Sequence, residues 1–214
     1  MRFGVGRAGL AAVVLAAVAG CGAGVAPGPE GAAGPVTAST APAAVRVGLP
    51  SAELQGRWWS WAASEPSATN PVADEDGSAC GRNQPQDVWF LAGTFGGQVA
   101  RACEVPSGRP LLAPVVNSFG DPEDCAAFMT SAKGTVLLDG KAVEPESYPG
   151  DSIVVQALEG NPVTGEAGRF AATGCGLWVQ LPPLAPGAHS LKIRGSAGDF
   201  STGVDYALTV VAGR

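Results

Sequence analysis

The chain has a single histidine, His189, among its 214 residues. Any histidine-based general acid–base or nucleophile-activating scheme would have to run through that one side chain. Serine-, cysteine- and zinc-histidine hydrolases are therefore disfavoured. No Cys-x-x-Cys pair occurs and no cysteine neighbours His189, so structural zinc lacks its usual ligand spacing. Lysine is scarce, at Lys133, Lys141 and Lys192. Beyond residue 20 no apolar run approaches the roughly 20 residues of a membrane-spanning helix. The net charge is −6, which argues against nucleic acid and against docking on anionic lipid by charge. Abundant Ala, Gly and Pro beside so little Lys is the bias of a GC-rich, actinobacterial-like genome and carries no functional information.

What is present begins with an export signal. Arg2 and Arg7 precede an apolar run over residues 8–19, which ends in Val18-Ala19-Gly20-Cys21. The run has the length of a signal-peptide core and is too short for a membrane span. Two small residues before a cysteine match the bacterial lipobox, with Val18 where that pattern prefers Leu. The match implies a diacylglycerol on the Cys21 thiol, cleavage before it, and acylation of the new amino group. Two or three chains anchor stably where one alone is marginal. Cleavage removes Arg2 and Arg7 and leaves 11 basic against 19 acidic groups, a net charge of −8.

The four remaining cysteines, Cys80, Cys103, Cys125 and Cys175, read as two disulfides in an exported domain. Three pairings are open. Cys80–Cys103 with Cys125–Cys175 is favoured, because Cys103 falls on the return strand of an expected hairpin and Cys80 just before its outgoing strand.

Three regions are expected: a signal peptide over 1–20, a flexible Ala/Gly/Pro-rich tether over 21–49, and one β-rich domain over 50–214. The tether has no apolar periodicity, and Glu30 and Arg46 are its charges. Leu54, Trp58 and Trp61 then fall on one face of a short helix, with Ser51 as its cap and Ser64-Glu65-Pro66 as its end. Two apolar runs, 88–94 and 99–105, flank Gly96-Gly97 and read as a hairpin. The segment 111–117 reads as a strand, and Pro114 suggests an edge or a bulge. Asp121 should cap a short helix through Met129, with Pro122 in its first turn. Asp139-Gly140 should turn a hairpin. Segments 153–158 and 177–181 are further strands. Leu191 and Ile193 alternate with Lys192 and Arg194, and Val204, Tyr206, Leu208 and Val210 with polar or small residues, as half-buried strands do. The expected fold is mainly β: an antiparallel, immunoglobulin-like β-sandwich with one or two short helices.

Several segments occur together in a familiar order. They include Trp58-Trp59-Ser60-Trp61-Ala62, Asn70-Pro71-Val72, Cys80 with Gln84, and Trp89-Phe90-Leu91-Ala92-Gly93. Arg101 with Cys103-Glu104-Val105-Pro106, Pro114-Val115-Val116-Asn117, Leu177-Trp178-Val179-Gln180-Leu181 and Gly198-Asp199-Phe200 continue them. In this order the chain resembles a family of small exported bacterial proteins with no assigned activity. The resemblance spans most of residues 54–211. It implies one domain and an extracytoplasmic location, and supplies no catalytic residue.

Chemistry-bearing patterns are sparse. Gly150-Asp151-Ser152 resembles the start of a GDS-type esterase block, but the residue three before His189 is Pro186 where that scheme needs Asp. Asp74-Glu75-Asp76-Gly77-Ser78 resembles the start of a calcium loop, yet its twelfth position is Pro85 where a bidentate Glu is required. The expectation for that cluster is a solvated loop, and for His189 a half-buried, hydrogen-bonded strand residue. No catalytic residue, metal site or cofactor is indicated. The candidate partner contacts are tryptophans: Trp59, which lies off the Leu54 face, and Trp89 and Trp178, in strands apolar on both faces. The expected role is a non-catalytic module, held to the membrane by lipid, that binds an envelope protein or glycan and no nucleic acid. A carboxylate-based hydrolase or lyase acting on envelope glycans is the alternative, although no Asp/Glu pair is singled out.

Overall fold

A computed structural model describes residues 48–212. The signal peptide, Cys21 and nearly all of the expected tether lie outside these residues. The chain runs α1 (Ser51–Ala62), a 3₁₀ turn (Ser67–Thr69), β1 (Trp89–Phe90), β2 (Gly97–Pro106), β3 (Leu111–Gly120) and α2 (Pro122–Met129). It continues through β4 (Lys133–Leu138), β5 (Lys141–Val143), β6 (Glu146–Ala157), β7 (Gly168–Leu181), β8 (Gly187–Ala197) and β9 (Phe200–Val211).

The strands form a four-stranded sheet, β1-β3-β7-β6, and a five-stranded sheet, β2-β9-β8-β4-β5. The two pack face to face on a core drawn from both, including Val115 and Val179 from the first and Leu191, Val204 and Leu208 from the second. Helix α1 covers the other face of the four-stranded sheet, where Leu54, Trp58 and Trp61 meet Phe90, Leu112, Ile153 and Trp178. The four-stranded sheet is thus the middle of three layers. That position explains why β3 is buried along its first six residues without alternation. Gly56 lets α1 approach, since a Cβ there would press on the Val154 carbonyl.

The fold is mainly β as expected, but the sheets are mixed rather than antiparallel throughout. β1 runs parallel to β3, and β2 parallel to β9. The hairpin expected over 88–105 does not form, because its two arms lie in different sheets. Gly96 and Gly97 do adopt positive φ, at 122° and 77°, so the turn is real while the pairing is not. The crossing between sheets is held by side chains. Tyr206 Oη accepts from the Ala92 N–H at 3.0 Å and donates to the Ala92 carbonyl at 2.7 Å, and Arg101 donates to the Ala92 and Gly93 carbonyls.

The edges of the four-stranded sheet are covered by specific groups. On the free side of β1, the Gln84 amide accepts from the Phe90 N–H and donates to the Phe90 carbonyl, each at 2.8 Å, as a neighbouring strand would. On β6, Ser60 Oγ accepts from the Gln156 N–H and the Ala63 carbonyl from the Leu158 N–H. Such cover blocks edge-to-edge association.

Local signals hold in several places. Asp121 caps α2, accepting from the Glu123 and Asp124 N–H groups, with Pro122 in the first turn. Asp139 and Gly140 take φ of 50° and 77° and close the β4–β5 hairpin. Leu191, Ile193, Val204, Tyr206, Leu208 and Val210 are buried, in the expected phase. Pro114 marks a bulge: β3 is an interior strand whose register shifts between Pro114 and Val116.

Other details differ. Ser51 is not a cap; Pro50 stands there and no side chain caps α1. At the other end of α1, Asn70 Nδ2 donates to the Ala62 and Glu65 carbonyls. Leu49, placed in the tether by composition, belongs to the fold. Its N–H donates to Gln180 Oε1 at 2.8 Å, and Gln180 Nε2 donates back to its carbonyl.

Both favoured disulfides are present, Cys80–Cys103 and Cys125–Cys175, with Cα separations of 5.9 and 5.7 Å. The first ties the loop before β1 to β2 rather than one hairpin arm to another. The second ties α2 to β7.

Candidate functional site

A groove opens where the middle layer meets the loops that cross to the second sheet. Its cavity volume is about 210 Å³. Trp58 and Trp59 reach it from α1, and the bulged part of β3 supplies Pro114, Val115, Asn117, Ser118 and Phe119. Thr94 and Phe95 come from the segment between β1 and β2, and Phe200 and Thr202 from the start of β9. Phe95 and Phe200 form its exposed mouth, with fractional exposures of 52% and 36%. Among the described residues, the lining holds no charged or titratable side chain.

The aromatic wall is rigidly built. The Trp59 ring meets Trp58 edge-on at 4.9 Å and Phe119 at 4.6 Å between centroids. Trp58 Nε1 donates to the Leu91 carbonyl at 3.0 Å and Trp61 Nε1 to the Arg82 carbonyl at 2.8 Å. The buried Nε1–H of Trp59 and the buried Nδ2 of Asn117 find no acceptor in the protein. Thr94 and Thr202 are internally satisfied: their Oγ1 atoms lie 3.0 Å apart, and Thr202 Oγ1 accepts from the Thr94 N–H.

The tryptophans singled out from sequence separate in space. Trp59 lines the groove although it is only 8% exposed, because the buried face of α1 is broad enough to press it on Phe119. Trp178 is fully buried beneath α1, with its ring 5.5 Å from Trp58. Trp89 is buried between the sheets, with the Arg109 guanidinium over its ring. As contacts for a partner, Trp89 and Trp178 present no free face in this structure, since the middle sheet is covered on both sides.

The remaining patterns resolve into scaffold. Asp74 accepts from the N–H groups of Asp76, Gly77 and Ala79, so the acidic cluster is a self-bonded turn. Among the described residues no three His, Cys, Asp or Glu side chains gather in a metal-holding group. Asp151 and Ser152 lie within β6, and Asp151 Oδ2 accepts from Gln55 Nε2.

His189 is half-buried and bonded at both nitrogens, with Nδ1 2.7 Å from Asp139 Oδ2 and Nε2 2.9 Å from the Ala185 carbonyl. Both partners accept, so the doubly protonated ring satisfies both and the neutral ring one. The Asp139 carboxylate, then the Ala185 carbonyl, raises the imidazole's pKa. His189 and the Ser190 N–H lower that of Asp139. The histidine's contribution to stability is full below its ordinary value of about 6.5 and fades as pH rises through the raised one. That of Asp139 is full above the usual carboxylate value and fades as pH falls through the lowered one. His189→Gln should therefore lower the denaturant midpoint more at about pH 5.5 than at about pH 9. A pH-independent difference between the two proteins would contradict this coupling.

Sequence reasoning missed Phe95, Phe200 and Asn117 as groove residues, and Arg101 and Tyr206 as the brace behind them. Phe95 carried one local signal, an aromatic beside Gly96-Gly97 at a turn tip. Arg101 and Tyr206 meet from 105 positions apart, and Asn117 and Phe200 border one cavity from distant strands, which no local pattern displays.

The fold and groove define a class: a disulfide-tied, mixed-β domain with a helix-backed middle sheet and an uncharged aromatic pocket at the sheet crossing. No family model, curated protein or solved structure matches the chain.

Proposed function

We propose that the protein is a lipid-anchored extracytoplasmic binding module, attached through Cys21, that presents the Trp59 groove to a ligand at the cell envelope. One observation carries this reading: the groove joins aromatic walls and small polar groups with no titratable side chain in its lining. Such a lining can hold and orient a ligand, and it offers its Ser and Thr hydroxyls no titratable neighbour within the lining to activate them as nucleophiles. Two disulfides suit an oxidising compartment, and the lipobox supplies the anchor. On this reading the scaffold works as immunoglobulin-like sandwiches do, with connecting segments at the rim of packed sheets carrying the site.

The test uses the acylated full-length protein against separated envelope protein, glycan and lipid fractions. A Phe95→Ala/Phe200→Ala protein serves as the comparison. Trp59→Ala is the poorer probe, because truncating a buried tryptophan costs about 3–5 kcal/mol of stability. The partly exposed pair should change binding while lowering the unfolding midpoint less than Trp59→Ala would. Saturable binding to one fraction, weakened about tenfold or more in the double variant, is expected for aromatic anchors at a contact. Equal binding by both proteins would remove the groove from the reading. Turnover of an envelope glycan by both would favour the hydrolase alternative.

A further inference from the structure

The strand that floors the groove outruns its neighbour. β1 pairs with β3 over Leu111 and Leu112 alone, and the Leu91 N–H adds one bond, to the Leu112 carbonyl at 2.9 Å. β3 itself continues to Gly120, paired with β7 on its other side apart from the bulge. Among the described residues, no strand pairs with the β1 side of β3 beyond Leu112. The groove lies along this stretch, where Pro114, Asn117, Ser118 and Phe119 line it. We infer that β3 accepts here, as an added strand, an extended and uncharged segment of a partner protein. This rests on the reading of the groove as the binding site and names the class of its ligand.

The register shows which backbone groups are offered. Leu112, Pro114, Asn117 and Phe119 stand opposite Gln180, Trp178, Gly176 and Gly174, every second residue of β7. Strand residues turn their backbone groups to one neighbour and the other in alternation, so these four share one phase. Leu112 turns to the β1 side, where its carbonyl meets Leu91. Asn117 and Phe119 therefore turn the same way, each with an N–H and a carbonyl. Both residues are half-buried, so water reaches this part of β3, as unpaired backbone groups require. Two donor–acceptor pairs about 7 Å apart match the repeat of another strand.

The walls fit the same occupant. An added strand sends its side chains alternately to the two faces of a sheet. The groove has a wall on each face: Trp58 and Trp59 belong to the core beneath α1, and Val115 to the core between the sheets. Among the described residues neither wall carries a charge. A carboxylate or ammonium set there would lose its hydration and gain no counter-charge, so the segment is uncharged where it pairs.

The experiment pans a library of heptapeptides, randomised over uncharged residues, against the acylated full-length protein. Enriched peptides are then titrated into the ¹⁵N-labelled full-length protein. They should shift the Asn117 and Phe119 backbone amide signals saturably and slow the hydrogen exchange of both. A copy of the best peptide, N-methylated along its backbone, keeps the side chains and loses the donors. It should bind at least tenfold more weakly, the effect of losing backbone hydrogen bonds. Equal binding of the two peptides, or shifts confined to other parts of the domain, would overturn strand addition. Slow exchange of both amides before any peptide is added would overturn the partner as source. The occupant would then be the chain's own leader if the protection survives dilution, and a second copy if it does not. If no peptide is enriched while an envelope glycan or lipid fraction binds through Phe95 and Phe200, this inference falls and the proposed function stands. If nothing binds, both fall.

Discussion

Arg101→Met should destabilise the domain by about 4 kcal/mol or more, read as a shift of the urea-unfolding midpoint. The Arg101 side chain is only 2% exposed, and among the described residues it forms no ion pair within 4.0 Å. Its charge is met by backbone carbonyls instead. Nε donates to Asp74 at 2.8 Å, Nη1 to Ala92 and Gly93 at 3.0 Å each, and Nη2 to Val72 at 3.2 Å. Nη1 also lies 3.1 Å from Tyr206 Oη. Methionine keeps much of the apolar stem and deletes every donor. The Ala92 carbonyl would retain Tyr206 Oη, while those of Val72, Asp74 and Gly93 would lose this partner at a cost of about 1–3 kcal/mol each where they stay buried. Lysine should rescue little, because a point charge cannot reproduce the planar fork. Burial pushes the Tyr206 hydroxyl above its ordinary pKa, so it remains a donor at neutral pH. Arg194→Met is the control. Its guanidinium is more than a third exposed and pairs with Asp205 at 2.7 Å, so its loss should cost clearly less than that of Arg101. Equal shifts in the two variants would show that the Arg101 brace contributes nothing special.

Removing the Cys125–Cys175 bridge by paired alanine substitution should cost about 4 kcal/mol, and removing Cys80–Cys103 about 3.5 kcal/mol. The difference comes from the closed loops, since the bridged positions are 50 and 23 residues apart. Closing the longer loop removes more freedom from the unfolded chain. The bridges also join elements the sheets do not tie directly: α2 is pinned to β7, and the loop before β1 to β2. Calorimetry of both paired variants beside the unmodified protein checks the order as well as the size. Losses much below 1 kcal/mol for both would mean that packing alone holds these elements. Dependence of this size would fit the proposed export to an oxidising compartment.

The groove and the brace share one piece of chain, which links these stability effects to the proposed function. Residues 92–95 leave the middle sheet, pass Arg101 and Tyr206, and end at Phe95 on the groove mouth. A glycine allows the sheets to approach here. Gly195 of β8 faces Val115 of β3 so closely that a Cβ would overlap the Val115 carbonyl. The pocket wall is therefore set by the distance between sheets as well as by its own side chains.

How much of this was legible depends on how far apart the interacting residues are. The α2 helix could be read from Asp121-Pro122 and the β4–β5 hairpin from Asp139-Gly140, because caps and turns are made by neighbours. The inward faces of β8 and β9 followed from alternation, since successive strand residues point to opposite sides. The disulfide pairing was also read as it stands, although the hairpin offered as its reason does not exist. Cys80 and Cys103 meet because the loop over 74–79 folds across β2, where the Ala102 N–H donates to the Asp76 carbonyl.

By itself, the amino-acid sequence determined a β-rich chain with four paired cysteines and a helix bearing tryptophans. Tertiary structure alone decided which strands pair, that two pairs run parallel, that Trp178 is sealed while Trp59 borders a cavity, and that Arg101 is buried. The reason is physical. A Gly-Gly turn has the same local energy whether its arms pair or part, and the choice rests on the Tyr206 hydroxyl and the Arg101 guanidinium. Those groups meet residue 92 from 114 positions away in one case and nine in the other.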